Sequence, residues 1–259
     1  MEKISYKFIT QISFSGEIRA HSFLLRCTPQ HLPFQKVIRE QCVVTPIAEL
    51  CVGTDSFGNI VHSGHIDAPH SGFEFCSEGE LMLDTYRICE ELNPIFLYPS
   101  DYTQPLEYVE QFYQTIVFQP TDSIAQKIAK IGAKVHGYFI YETGSTTIKT
   151  TAGEALLSGR GVCQDFAHIM IALCRRANIP TRYVAGFLQG ESYTHAWIEF
   201  YEAGIWLPFD PTHNRWIEQG YIKLAHGRDY ADCPIERGIF NGVTNQTLNI
   251  NLSVESIEQ

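Results

Sequence analysis

Two strand-like runs, Tyr193–Tyr201 and Ile205–Asp210, are separated by three residues ending in Gly204. A connection this short joins antiparallel neighbours, whereas a parallel crossover takes a dozen residues or more. A third run, Thr181–Gln189, precedes them. Before it lies a helical period from Cys163 to Ala177, with Phe166, Ile169, Met170 and Leu173 as its apolar stripe and Asn178 and Pro180 as its stop. One helix followed by consecutive strands reads as an α+β core, with the helix packed on an antiparallel sheet.

The remainder falls on either side of a change of period. Ile4, Tyr6 and Phe8 alternate with polar residues, and Asp55–Asn59 reads as a turn between strands, so the chain to about residue 90 reads as a β-rich domain. Asn93-Pro94, Tyr98-Pro99 and Gln104-Pro105 read as an extended connection. Helical periodicity begins at Leu106, and a second helix starts at Asp122 or Ser123, both good caps. The expected division is therefore a β-rich domain with its linker over residues 1–104 and a second domain over 105–259. The second domain closes with a strand signalled by the alternation of Leu248, Ile250, Leu252 and Val254.

A formal net charge of -10, with no Lys/Arg run, argues against nucleic acid as a partner. No run approaches the roughly 18 apolar residues of a membrane span. The N-terminal Met-Glu-Lys-Ile-Ser-Tyr-Lys lacks the apolar stretch of a signal peptide. The eight cysteines are accordingly expected to be reduced thiols in a cytoplasmic protein, most of them small buried groups.

Among those cysteines Cys163 stands apart. It opens the helix, where unpaired N–H groups and the helix dipole favour a thiolate. His195 on a later strand can take its proton, and Asp210 at the end of the next strand can orient the imidazole. Gly159 and Gly161 allow a sharp turn before the thiol, and the Cys163 N–H can face the oxyanion of a tetrahedral intermediate. Singly, each residue has an ordinary role as core filler, exposed side chain or turn residue. Their order on helix, strand and strand is what points to catalysis. His168, five residues after Cys163, points away from the thiol on a helix and is expected to be structural. Asp165 in the first turn is expected to serve the helix start. Arg160 is placed to meet a nearby carboxylate.

Gly161-Val162-Cys163-Gln164-Asp165-Phe166-Ala167-His168, Thr194-His195-Ala196-Trp197-Ile198-Glu199 and Asp210-Pro211-Thr212 together resemble the transglutaminase-like superfamily. They are most similar to its microbial branch of transglutaminase-like enzymes and cysteine proteases. Leu25-Arg26-Cys27-Thr28-Pro29 and Asp55-Ser56-Phe57-Gly58-Asn59 resemble the β domain that precedes the core in that branch. The resemblance implies a papain-like core, with Cys163 as nucleophile, His195 as base then acid, and Asp210 as orienting carboxylate. It also implies a second oxyanion donor from an upstream side chain, for which Tyr141 is the first candidate and Tyr138 its rival. Gln164 and Trp197 complete the candidate oxyanion or substrate residues, with Trp197 expected to pack beneath the site.

The expected chemistry is acyl transfer through a Cys163 thioester on a peptide or protein amide, without metal or organic cofactor. Hydrolysis is favoured, and transfer to an amine is the alternative. Two further readings stand beside it: a peptide-binding module without turnover, and a metal-dependent hydrolase built on His62, His65 and His70 with Asp67. The spacing of those histidines matches no metal signature, and solvated loop positions are the expectation for them.

Overall fold

The computed structural model describes residues 1–257. Strand β1 (Glu2–Leu25) is the spine of the first sheet. Its first half alternates Ile4, Tyr6, Phe8, Ile12 and Phe14 inward, the pattern of a half-buried strand. The strand bends where its register shifts between Ser13 and Ile18 and where Ala20 takes a positive φ of 49°. The first half pairs with β5 (His70–Leu83), whose other edge carries β2 (Gln35–Thr45). The second half pairs with β4 (Ile60–Ile66), followed by β3 (Cys51–Thr54).

The linker adds β6 (Ile88–Cys89), and the helical region follows with α1 (Glu107–Gln114) and α2 (Ile124–Tyr138). Helix α2 begins at the expected cap: Ser123 Oγ accepts from the Gln126 N–H at 3.2 Å, and Gln126 Oε1 accepts from the Ser123 N–H at 2.8 Å. Two short parallel strands, β7 (Ile140–Tyr141) and β8 (Arg160–Gly161), flank α3 (Ala152–Ser158). Gly159 closes α3 at φ 68°, the left-handed conformation that suits a residue without Cβ. Helix α4 (Cys163–Arg176) is enclosed by the other helices and by the second sheet. Its expected stripe is buried, as are Ala167, Ile171, Ala172 and Cys174, so more than one face is covered.

The second sheet is antiparallel. It contains β9 (Thr181–Leu188), β10 (Thr194–Glu202), β11 (Ile205–Asp210), β12 (Arg215–Trp216) and β13 (Tyr221–Gly227), in the order β12-β11-β10-β9-β13, with β6 against β11. Ala185, Ala196, Ile198, Phe200 and Phe209 pack with the helices. Phe187, Ile222 and Leu224 pack instead with the first sheet, so the two sheets share a core. The architecture is α+β, as the sequence implies.

The last two strands, β14 (Glu236–Asn241) and β15 (Gln246–Ser256), return to β1. Eleven residue pairs, from Ile4↔Ser256 to Phe14↔Gln246, place the closing strand in the first sheet, whereas the sequence reading grouped it with residues 105–259. Alternation identifies a strand but carries no record of its partner. No helix among the described residues is long and apolar enough to cross a membrane.

Candidate active site

Cys163 is the first residue of α4, so its N–H and that of Gln164 precede the first hydrogen bond of the helix. Asp165 fixes this start. Its Oδ2 accepts from the Val162 N–H at 2.8 Å and from Thr146 Oγ1 at 2.6 Å. Gly161 makes room for that carboxylate, since a Cβ there would lie 2.8 Å from Asp165 Cβ and closer still to its Oδ2. Asp165 thus serves the helix start, as expected.

His195 lies one residue into β10 and Asp210 ends β11, and both are buried. His195 Nε2 donates to Asp210 Oδ2 at 2.9 Å, and the Cys163 thiol lies beside the same imidazole. With Nε2 engaged, Nδ1 is the nitrogen left for a second partner, and Glu191 Oε2 lies 3.4 Å from it. Burial alone would discharge the ring. The interactions with Asp210, Cys163 and Glu191 outweigh it and lift the pKa from 6.5 to about 12. Burial likewise opposes the Asp210 charge, but its bonds to His195 and His213 hold the carboxyl well below the usual range.

Three contributors escape a reading by motif. His213 Nδ1 donates to Asp210 Oδ2 at 2.7 Å, and the Tyr221 hydroxyl donates to the same oxygen at 2.6 Å. The Thr212 and His213 N–H groups donate to Oδ1 at 2.9 and 3.2 Å. Glu191 closes the ring on the far side, 3.4 Å from His195 Nδ1 and 3.7 Å from His213 Nε2. His213 was signalled by its place three residues beyond Asp210, within reach around one turn. Glu191 carried no local signal.

A cleft of about 420 Å³ opens beside these groups, lined by Tyr141, Glu191, Tyr193, Thr194, Thr212 and His213. The β7–β8 pairing sets Tyr141 opposite Gly161, two residues before the thiol. Tyr141 is half exposed, and partial burial together with the charges of Cys163 and Glu191 raises its pKa to about 12, so it enters the cleft as a neutral hydroxyl. Tyr138 turns elsewhere, donating to the Leu156 carbonyl at 3.2 Å. The Gln164 side-chain amide donates to the Ile148 carbonyl at 3.4 Å.

Trp197 is fully buried, so it is not a substrate contact. Its ring stacks on His195 with centroids 6.3 Å apart, and its Nε1–H donates to the Tyr86 hydroxyl at 3.3 Å. Tyr86 in turn donates to Glu199 at 2.6 Å, a carboxylate held between Lys223 and Arg182. Burial would neutralise Glu199, but those two cations keep its pKa at about 2. Gly186, paired with His195, admits this packing: a Cβ there would collide with Trp197 and with the Ile222 carbonyl.

His168 is buried, accepts from the Tyr230 N–H at 3.1 Å, and has its pKa lowered by burial to about 4, so it is a neutral structural residue. Arg160 pairs with Glu142 at 3.0 Å. The N-terminal histidines are strand residues rather than loop residues, and of the three only His65 is exposed. They lie on β4 and β5, with His62 and His70 buried. His62 bonds Thr28, His65 bonds Ser22 and Asp67, and His70 bonds His21, so each has its own partner and they do not converge. His195, Asp210 and His213 do bring ligand-type atoms within 4.8 Å of one another. There the inward ring nitrogens are spent on hydrogen bonds to Asp210.

Residues 110–211 match the family described as the Transglutaminase-like superfamily, and residues 4–82 match the Bacterial transglutaminase-like N-terminal region. An uncharacterized protein of Mycobacterium tuberculosis is 28% identical over 268 residues, covering 89% of this chain and 85% of the relative. A protein-glutamine gamma-glutamyltransferase of Pseudomonas aeruginosa is 36% identical over 102 residues, which is 32% of this chain and 15% of that protein. Among solved structures, a "Putative Cysteine Protease" from Cytophaga hutchinsonii superposes with a TM-score of 0.81 at 24% identity, over 100% of this chain and 92% of that one. That likeness extends through both sheets. Residues 110–211 thus carry a match to the transglutaminase-like superfamily, with the match to the bacterial N-terminal region ahead of it over residues 4–82.

Proposed function

We propose that the chain is a cysteine-dependent acyl-transfer enzyme that hydrolyses a peptide or protein amide. One observation carries this reading: a half-buried thiol on the first residue of a helix, beside a buried imidazole whose Nε2 is held by a buried carboxylate. The imidazolium that Asp210 favours pairs with a Cys163 thiolate. The thiolate adds to the substrate carbonyl, and the oxyanion meets the N–H groups at the start of α4, with the neutral Tyr141 hydroxyl as the side-chain donor. His195 gives its proton to the departing amine and leaves a Cys163 thioester. It then takes a proton from water, which attacks the thioester and restores the thiol.

Amine in place of water gives transamidation. Two observations favour this second reading: the local match to the Pseudomonas aeruginosa gamma-glutamyltransferase, and Glu191 flanked by Tyr141 and Tyr193 in the cleft, a setting that suits an ammonium group. The test is a panel of peptide amides with and without a fluorescent primary amine, following peptide cleavage, ammonia release and amine incorporation. Cleavage by the wild type and none by Cys163→Ala supports hydrolysis, and amine incorporation supports transfer. Loss of neither product in Cys163→Ala would overturn both.

A further inference from the structure

Away from the cleft, two cysteines of the first sheet touch. Cys27, just beyond the end of β1, and Cys42, on β2, have their sulfurs 3.5 Å apart. Ser77 on β5 organises the contact: it is the register partner of Cys42, and its Oγ donates to the Cys27 carbonyl at 2.7 Å. Cys27 is enclosed, whereas Cys42 is half-buried and open to a small oxidant. A disulfide has sulfurs about 2.05 Å apart, so closing the bond needs an approach of about 1.5 Å. We propose that Cys27 and Cys42 are an oxidation site that closes to a disulfide in the folded protein on exposure to hydrogen peroxide.

The order of events follows from exposure. Cys42 meets the peroxide first, and its thiol is the more acidic of the two because Cys27 donates a hydrogen bond to it. The Cys42 sulfur attacks one peroxide oxygen, the O–O bond breaks, and one water leaves with the thiol proton. Cys27 then displaces the hydroxyl of the sulfenic acid, forming the S–S bond, breaking the S–O bond and releasing a second water. Two thiols thus give up two electrons to one peroxide.

The bridge would close a loop over residues 28–41 that reaches under the candidate site. Phe34 stacks on Tyr86 at 3.8 Å, and Gln35 bonds both the N–H and the carbonyl of Lys223, at 2.8 and 2.9 Å. Tyr86 is the residue that holds Trp197 below His195. Closing a loop of this length stabilises the folded chain chiefly by restricting the unfolded one.

The experiment treats the full chain with a few equivalents of hydrogen peroxide, caps free thiols under native conditions, and maps peptides without reduction. The expected product is a Cys27–Cys42 crosslink two hydrogens lighter than the free peptides and reversed by dithiothreitol. The melting temperature should rise by roughly 5 °C or more. Cys42→Ser and Cys42→Val should lose both the crosslink and the shift. Recovery of both cysteines as free thiols or sulfinic acids in the wild type, or a crosslink of Cys42 to another cysteine, overturns the proposal whatever the variants do.

Discussion

Replacing Asp210 by asparagine separates the role of its charge from that of its shape. Five donors converge on this carboxylate: His195, His213 and Tyr221 on Oδ2, and two backbone N–H groups on Oδ1. An amide has one acceptor oxygen and one donor group. Whichever way it is turned, an NH₂ faces two or three donors, and at least two bonds to a charged group are lost. At about 1.5–3 kcal/mol for each such bond, Asp210→Asn should destabilise the chain by about 3–5 kcal/mol, in line with the loss of one partner from a buried ion pair. For a chain of this size that is roughly 10 °C in melting temperature. The same change weakens the imidazolium, so alkylation of Cys163 by iodoacetamide at pH 6 should slow by about tenfold or more. Denaturant titration and timed labelling read by mass spectrometry give the two numbers. A stability loss under about 1 kcal/mol with unchanged labelling would refute the electrostatic account of the site.

His195, raised from 6.5 to about 12, should show no ring titration between pH 5 and 9 by imidazole nitrogen NMR. Its contribution to stability is complete below 6.5 and fades as pH rises towards 12, while that of Asp210, whose pKa is lowered, is present above 3.8 and lost at lower pH. The pair therefore favours folding most between about pH 4 and 6.5, and a His195 midpoint near 6.5 would contradict this. Gly186→Ala should cost about 3 kcal/mol or more, because a backbone carbonyl and a buried indole both stand where the Cβ must go; urea midpoints measure it. Glu191→Gln, about a third exposed, should change stability by less than about 1 kcal/mol and slow alkylation far less than Asp210→Asn. Equal slowing by the two variants would show that the acidic group closest to the thiol chemistry had been misjudged.

Much of the site was legible because its residues sit at element boundaries that local chemistry marks. Cys163 follows a glycine-flanked turn and opens a strongly apolar helix, and His195 and Asp210 bracket a hairpin with a short connection. The supporting contacts were less legible because they depend on where strands end up. Trp197, expected beneath the site yet kept as a candidate substrate residue, is seen to be enclosed only once β9 and β13 pack around it. Glu191 becomes relevant only through the fold of a turn. The histidines of β4 and β5 looked like loop residues because glycine, serine and aspartate lie among them, yet long strand pairings with β1 override those local signals.

The pairing of Ile4 with Ser256 also sets an order of events during synthesis. A strand that leaves the ribosome early is completed by one made more than 200 residues later. Until Gln246–Ser256 emerges, the edge of β1 that this strand will cover has no partner from it, while the helices and second sheet are already available to fold. Contacts so distant in sequence close slowly, and an uncovered strand edge invites pairing with another chain. A nascent chain, or one cut before Gln246, should therefore be more prone to self-association than one that carries Gln246–Ser256, even though its cysteine, histidine and aspartate have all been made.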